Sequence, residues 1–195
     1  MVAGEGGALA DLAAPEFDPA SSFYSDYVEP LVSEVKNLVT SPADAVGDSN
    51  VHAFLALIRT GEGTVDAGGY SRLFGGGSFS GFADHPRVLV SMSGYNSTAA
   101  GAYQILSRTW DEIRAAYNLP DFSPASQDLA AVALIKRRGA LADVVAGRFR
   151  QAIAKCSREW ASLPGSPYGQ PTLTLARAEQ ILANAGGTFE GSVLA

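Results

Sequence analysis

Cysteine occurs once in the 195 residues, at Cys156, and histidine twice, at His52 and His85. One cysteine makes no internal disulfide, and this set is too small for a zinc site built from Cys and His. No metal and no cofactor are expected. Long apolar runs are also missing. The longest, Leu129 to Ile135, falls far short of the roughly 18 residues a membrane helix needs. No basic region precedes an apolar stretch at the N-terminus, where Glu5 and Asp11 stand instead; no export signal and no membrane span are expected. Basic residues are nearly absent from residues 1–50, which hold nine acids against Lys36 alone, whereas residues 51–195 hold thirteen bases and eleven acids. An acidic extension before a mildly basic domain excludes a nucleic-acid binder over the whole chain.

What is present suits a folded domain. Hydrophobic residues make up 47% and aromatics 9%, enough for a core without staples and too much for a wholly disordered chain. The boundaries expected are an N-terminal extension over 1–48, a domain over 49–187 and a tail over 188–195. In the extension, Ser21 or Ser22 can cap a short helix carrying Phe23, Tyr24, Tyr27 and Val28. From Leu31, the residues Leu31, Val35, Leu38 and Val39 share a helical face, and Ser41-Pro42 ends that helix. The stretch 21–40 reads either as a helix packing on its own domain or as a docking segment for another protein.

Ser49 or Asn50 can cap a helix over Val51–Thr60 with Phe54, Leu55 and Ile58 inward. Residues 61–96 turn rich in Gly and Ser and predict a small irregular β lobe. Helices return over about 99–117, after Ser123-Pro124, over 148–161 and over 173–184, the last stopping at Gly186-Gly187. The fold class expected is α+β, mostly α.

Glu62 follows Leu55 by seven residues and Ile58 by four, which sets it on the apolar face at the helix C-terminus. Burial and the helix dipole both disfavour its charged form and raise its pKa, as a general acid requires. The same spacing also fits a frayed helix end with Glu62 in water. In Ser97-Thr98-Ala99-Ala100-Gly101-Ala102-Tyr103-Gln104, Tyr103 and Gln104 offer an aromatic face and an amide suited to sugars, or else small residues that allow tight packing. In the loop from Trp160 to Gln170, Trp160 continues a core stripe, while Tyr168 and Gln170 are freer to face a cleft. Asp84-His85-Pro86 reads as a turn, Gly75-Gly76-Gly77 lacks the Lys of a phosphate loop, and Cys156 reads as inert core.

From about residue 50 to residue 187 the chain resembles the phage lambda endolysin family, the lambda-type lytic transglycosylases of glycoside hydrolase family 104. The resemblance rests on Ala53-Phe54-Leu55 before Gly61-Glu62-Gly63-Thr64, on Asp84-His85-Pro86-Arg87, and on Ser97-Thr98 with Gly101 and Tyr103-Gln104. It continues through Phe122-Ser123-Pro124 with Ser126-Gln127-Asp128, Lys136 with Arg138-Gly139-Ala140-Leu141, and Arg150-Gln151-Ala152-Ile153. Trp160 to Gly165 with Tyr168-Gly169-Gln170 closes the set. It implies a lysozyme-like fold of a helical lobe and a small β lobe. The implied activity is cleavage of the MurNAc-β-1,4-GlcNAc bond of peptidoglycan with formation of 1,6-anhydro-MurNAc. Glu62 matches the catalytic glutamate, and Ser97, Thr98, Tyr103, Gln104, Tyr168 and Gln170 match segments lining the saccharide cleft.

The expected partner is therefore the glycan strand. Such an enzyme would wait in the host cytoplasm and reach the periplasm and cell wall on release. Three alternatives stand beside it. One is a virion-associated enzyme docked to a phage structural protein through residues 21–40. Another is a hydrolytic muramidase using Asp66 or Asp84. The third is a wall-binding structural protein without turnover.

Overall fold

The computed structural model describes residues 28–92 and 94–191, apart from the side chains of Leu38 and Val39. Two compact units divide the chain, Met1–Val32 and Ser33–Ala195. Of the first, the described residues 28–32 open helix α1, Glu29–Val39. The expected helix over Phe23, Tyr24 and Tyr27 lies outside the described residues, save Val28. The second unit already includes residues 33–48, which the sequence had placed with the extension.

The two described members of the apolar face expected on α1 are not buried. Leu31 and Val35 are exposed, whereas Ser33 and Asn37 are buried. The reason is polar. Ser33 Oγ donates to the buried Asp143, and Asn37 donates to the Lys136 carbonyl while accepting from the Leu141 amide. Buried polar groups demand partners, and this helix supplies them. Ser41 does not merely end α1. Its hydroxyl caps α2, Pro42–Ala45, with Pro42 in the first turn, where a missing N–H costs nothing.

Helix α3, Ser49–Gly61, is capped by Asp48, one residue before the expected Ser49; its carboxylate accepts from the amides of Asn50 and Val51. Val51, Ala53, Phe54, Leu55, Leu57 and Ile58 are all buried. The helix packs against α5 (Pro124–Arg137), α6 (Leu141–Val145) and α8 (Leu175–Asn184). In α5, capped by Ser123 as expected, Ala130 through Ile135 are buried without a break. An apolar run wider than one stripe marks a helix surrounded by others. Helix α7, Phe149–Cys156, contributes Phe149, Ala152, Ile153 and Cys156 to the same core. Burial raises the Cys156 thiol pKa, so it stays protonated.

The Gly- and Ser-rich stretch forms the small lobe. It holds short 3₁₀ turns at Gly69–Ser71 and Phe74–Gly76 and one antiparallel pair, β1 (Val90–Met92) and β2 (Tyr95–Ser97). Val90 stands opposite Ser97 and Met92 opposite Tyr95. Single bridges join Arg72 to Ser78, Leu73 to Ala100 and Ala100 to Ile105.

The helix expected from residue 99 begins only at Ser107: α4 is Ser107–Tyr117. Residues 99–106 turn back on themselves, with Gly101 at φ 79° and Gln104 at φ 46°. Gln127 holds this turn, accepting from the Ala102 amide and donating to the carbonyls of Tyr70 and Phe122. A Cβ on Gly101 would collide with the Gln127 amide. Trp110 and Ile113 are the buried residues of α4.

Candidate active site

Glu62 is the C-terminal cap residue of α3, its amide still bonded to the Ile58 carbonyl. Gly63 then takes φ 69° and ends the helix. The following segment is tied down. The Arg59 guanidinium donates to the Thr64 carbonyl at 2.9 and 3.2 Å and lies over the Tyr70 ring. Thr64 Oγ1 donates to the Ala102 carbonyl. The carboxyl is thus carried on a packed helix and a braced turn.

Ser162 Oγ donates to Glu62 Oε1 at 2.7 Å. Burial raises the Glu62 pKa above its ordinary value; the Ser162 hydrogen bond lowers it, and burial prevails. Ser162 is held by its carbonyl, which accepts from the Leu173 amide, and by the buried neighbour Leu163. Gly61 makes room for it, since a Cβ there would overlap the Ser162 side chain.

Glu62 opens into a cleft of about 320 Å³. Arg72 and the turn Leu73–Gly76 form one wall, Ala161, Ser162, Gln170 and Pro171 the other, and Gln104 also lines it. Glu62 is the one acid among these lining residues.

Of the sequence-predicted residues, Glu62, Gln104 and Gln170 come together here. The other four do not. Tyr103 is 1% exposed, and its hydroxyl donates to Asp128 at 2.6 Å beside that of Tyr70; it is a core residue, because the tight turn at 99–106 directs it inward. Tyr168 is exposed but donates to the Arg158 carbonyl and is not part of the cleft lining. Ser97 accepts from the Ala99 amide. Thr98 accepts from the Ser107 amide, serving the first turn of α4 from nine residues away.

The remaining acids have other duties. Asp66 pairs with Arg72 at 2.6 Å. Burial opposes charge on Asp84, but the Trp110 indole, the His85 amide and Arg87 outweigh it and hold its pKa low. His85 accepts from the Arg87 amide at Nδ1 and meets the Ile105 carbonyl at Nε2, the pattern of a neutral structural histidine. The turn reading of Asp84-His85-Pro86 agrees with this. Among the described residues no cluster could hold a metal ion.

Sequence reasoning missed Ser162, Arg72 and the turn at Gly75-Gly76. The glycines carried a signal, because φ values of 78° and 93° are what a run of glycines permits. Ser162 carried none, standing a hundred residues from Glu62.

Residues 52–189 match the Endolysin family model. The chain is 46% identical over 146 residues to the endolysin of Escherichia phage lambda, covering 70% of this chain and 90% of that one. The endolysin of Escherichia phage P2 is 39% identical over 154 residues, covering 71% and 93%.

The chain belongs to the endolysin family. A solved structure of bacteriophage lambda lysozyme complexed with a chitohexasaccharide superposes with a TM-score of 0.70 at 42% identity, covering 73% of this chain and 97% of that one. A second lambda lysozyme structure gives 0.65. The fold of this endolysin is lysozyme-like, and the family degrades peptidoglycan. The curated relatives align to about 70% of the chain.

Proposed function

We propose that this endolysin is a lytic transglycosylase with Glu62 as its single acid/base. The observation that carries the reading is a lone carboxyl, raised in pKa by burial, in a cleft lined by no other acid. Ordinary retaining and inverting glycosidases need two carboxylates across the scissile bond. Asp66 and Asp84 are each engaged by an arginine.

In the proposed reaction the protonated Glu62 donates to the glycosidic oxygen between MurNAc and GlcNAc as the C1–O bond breaks. The Glu62 carboxylate then takes the proton from the C6 hydroxyl of the same MurNAc. The C6 oxygen attacks C1, closes a 1,6-anhydro ring and regenerates the acid. No water is consumed. Ser162 steadies the carboxylate stage by hydrogen bonding, and Gln104 and Gln170 offer amides to the acetamido and hydroxyl groups of the strand. The lambda relative solved with a chitohexasaccharide supports a saccharide chain as occupant of this cleft. Domain 49–187 carries the activity, and its place of action is the cell wall after release from the host cytoplasm.

Mass spectrometry of fragments from purified peptidoglycan tests the reading. Fragments one water lighter than reducing-end products, absent with Glu62→Gln, are expected. Full-mass reducing ends would instead mean hydrolysis and overturn it.

A further inference from the structure

We infer that Arg72 reads a carboxylate on the peptide stem of the glycan, so that the cleft selects strands whose stems are charged. The inference rests on the peptidoglycan-cleaving reading above. Arg72 is the only basic residue among those lining the Glu62 cleft. Its backbone is fixed. The amide donates to the Gly69 carbonyl, and the Arg72 carbonyl accepts from the Gly101 amide. The side chain therefore extends from a rigid wall.

The guanidinium is oriented but not used up. Both contacts to Asp66 run to one nitrogen, Nη2, at 2.6 and 2.8 Å. Nε is enclosed and has no acceptor, although buried donors nearly always find one. Asp66 is itself 57% exposed, and such surface pairs are weak and exchangeable. The other contact of its carboxylate is the Gly68 amide, and its carbonyl accepts from the Gly69 amide, so Asp66 stays in place whether or not Arg72 turns to another anion. The planar fork of Arg suits a carboxylate.

Arg72 has no part in the acid itself, because the Glu62 shift arises from burial and Ser162. A neutral sugar chain gives a guanidinium no charge to meet. Peptidoglycan does, because the peptide stem on each MurNAc carries free carboxylates, the first on its second residue.

The test uses the full chain and two substrates: peptidoglycan strands with their stems, and the same strands with the stem carboxylates converted to neutral amides by carbodiimide and ammonia. The readout is the ratio of kcat/KM between them. Arg72→Gln is expected to lower the ratio roughly tenfold, the scale of one charge-assisted contact. Arg72→Lys, which keeps the charge but not the fork, should recover part of it. Added salt should lower the wild-type ratio. An unchanged ratio in Arg72→Gln, with equal losses on both substrates, overturns the inference while leaving the proposed function standing. Wild-type protein that cleaves neither substrate overturns both.

Discussion

Ser162 Oγ and Glu62 Oε1 lie 2.7 Å apart, joining a loop after α7 to the end of α3 across 100 residues of chain. The contact opposes burial in setting the Glu62 pKa. The site thus holds a carboxyl whose pKa burial raises, yet whose ionised form Ser162 supports. Both states are needed by a group that gives up a proton and then takes one back.

Replacing Glu62 by Gln should lower glycan cleavage by roughly a hundred- to ten-thousand-fold, the range of a lost general acid/base. The same variant should be more stable than the wild type at neutral pH. A carboxyl whose folded pKa is raised contributes fully below its unfolded pKa, and that contribution is lost as pH rises through the folded value. Thermal melting at pH 4 and pH 8 checks this: the variant's advantage should appear only at the higher pH.

Ser162→Ala removes the hydrogen bond that favours ionised Glu62. The alkaline limb of the kcat/KM profile, where Glu62 loses the proton it must donate, should move to higher pH. The rate should fall roughly tenfold, as for loss of one hydrogen bond to a charged group. A slower enzyme with an unmoved limb would reduce Ser162 to a packing role.

Gly61→Ala should reproduce much of the Ser162→Ala defect, since the new Cβ would displace the Ser162 side chain. The two losses should not add, because both act through one contact. Kinetics on the two single variants and the double variant decide it.

Gln170 lines the cleft while Tyr168 does not. Gln170→Ala should cost about 1–2 kcal/mol in kcat/KM. Tyr168→Phe loses only a bond to the Arg158 carbonyl and should leave turnover within about twofold. The opposite order would place the substrate on the Tyr168 side of the loop.

Asp143, 4% exposed, pairs with Arg148 at 2.9 Å and Lys155 at 2.6 Å. Burial penalises its charge, but Lys155, Arg148 and Ser33 prevail and lower its pKa. Asp143→Asn should cost about 3–5 kcal/mol in urea unfolding at pH 7, the scale for breaking a buried pair. That stability is present above the ordinary carboxylate pKa and is lost as pH falls through the lower folded value. The wild type and the variant should therefore converge in acid.

The sequence by itself determined the core helices α3 and α5 and the place of Glu62 at the end of α3. Val51 to Ile58 and Leu129 to Ile135 encode their own burial by periodicity and length, and Glu62 inherits its place on the apolar face from a spacing of four and seven. These are local facts, complete within a few turns of chain. What the tertiary structure decided depends on which distant segments meet. Tyr103, next to a real cleft residue, turns inward because Gly101 and Gln104 take positive φ and Gln127 grips the turn. Ser33 and Asn37 of α1 are buried where Leu31 and Val35 are not, because buried groups on other helices require hydrogen-bond partners. Ser162 and Arg72 join the site because the loop after α7 and the turn after Gly69 close on the end of α3 from two sides. Periodicity reports which side of a helix is apolar; what faces it is settled only when the chain has packed.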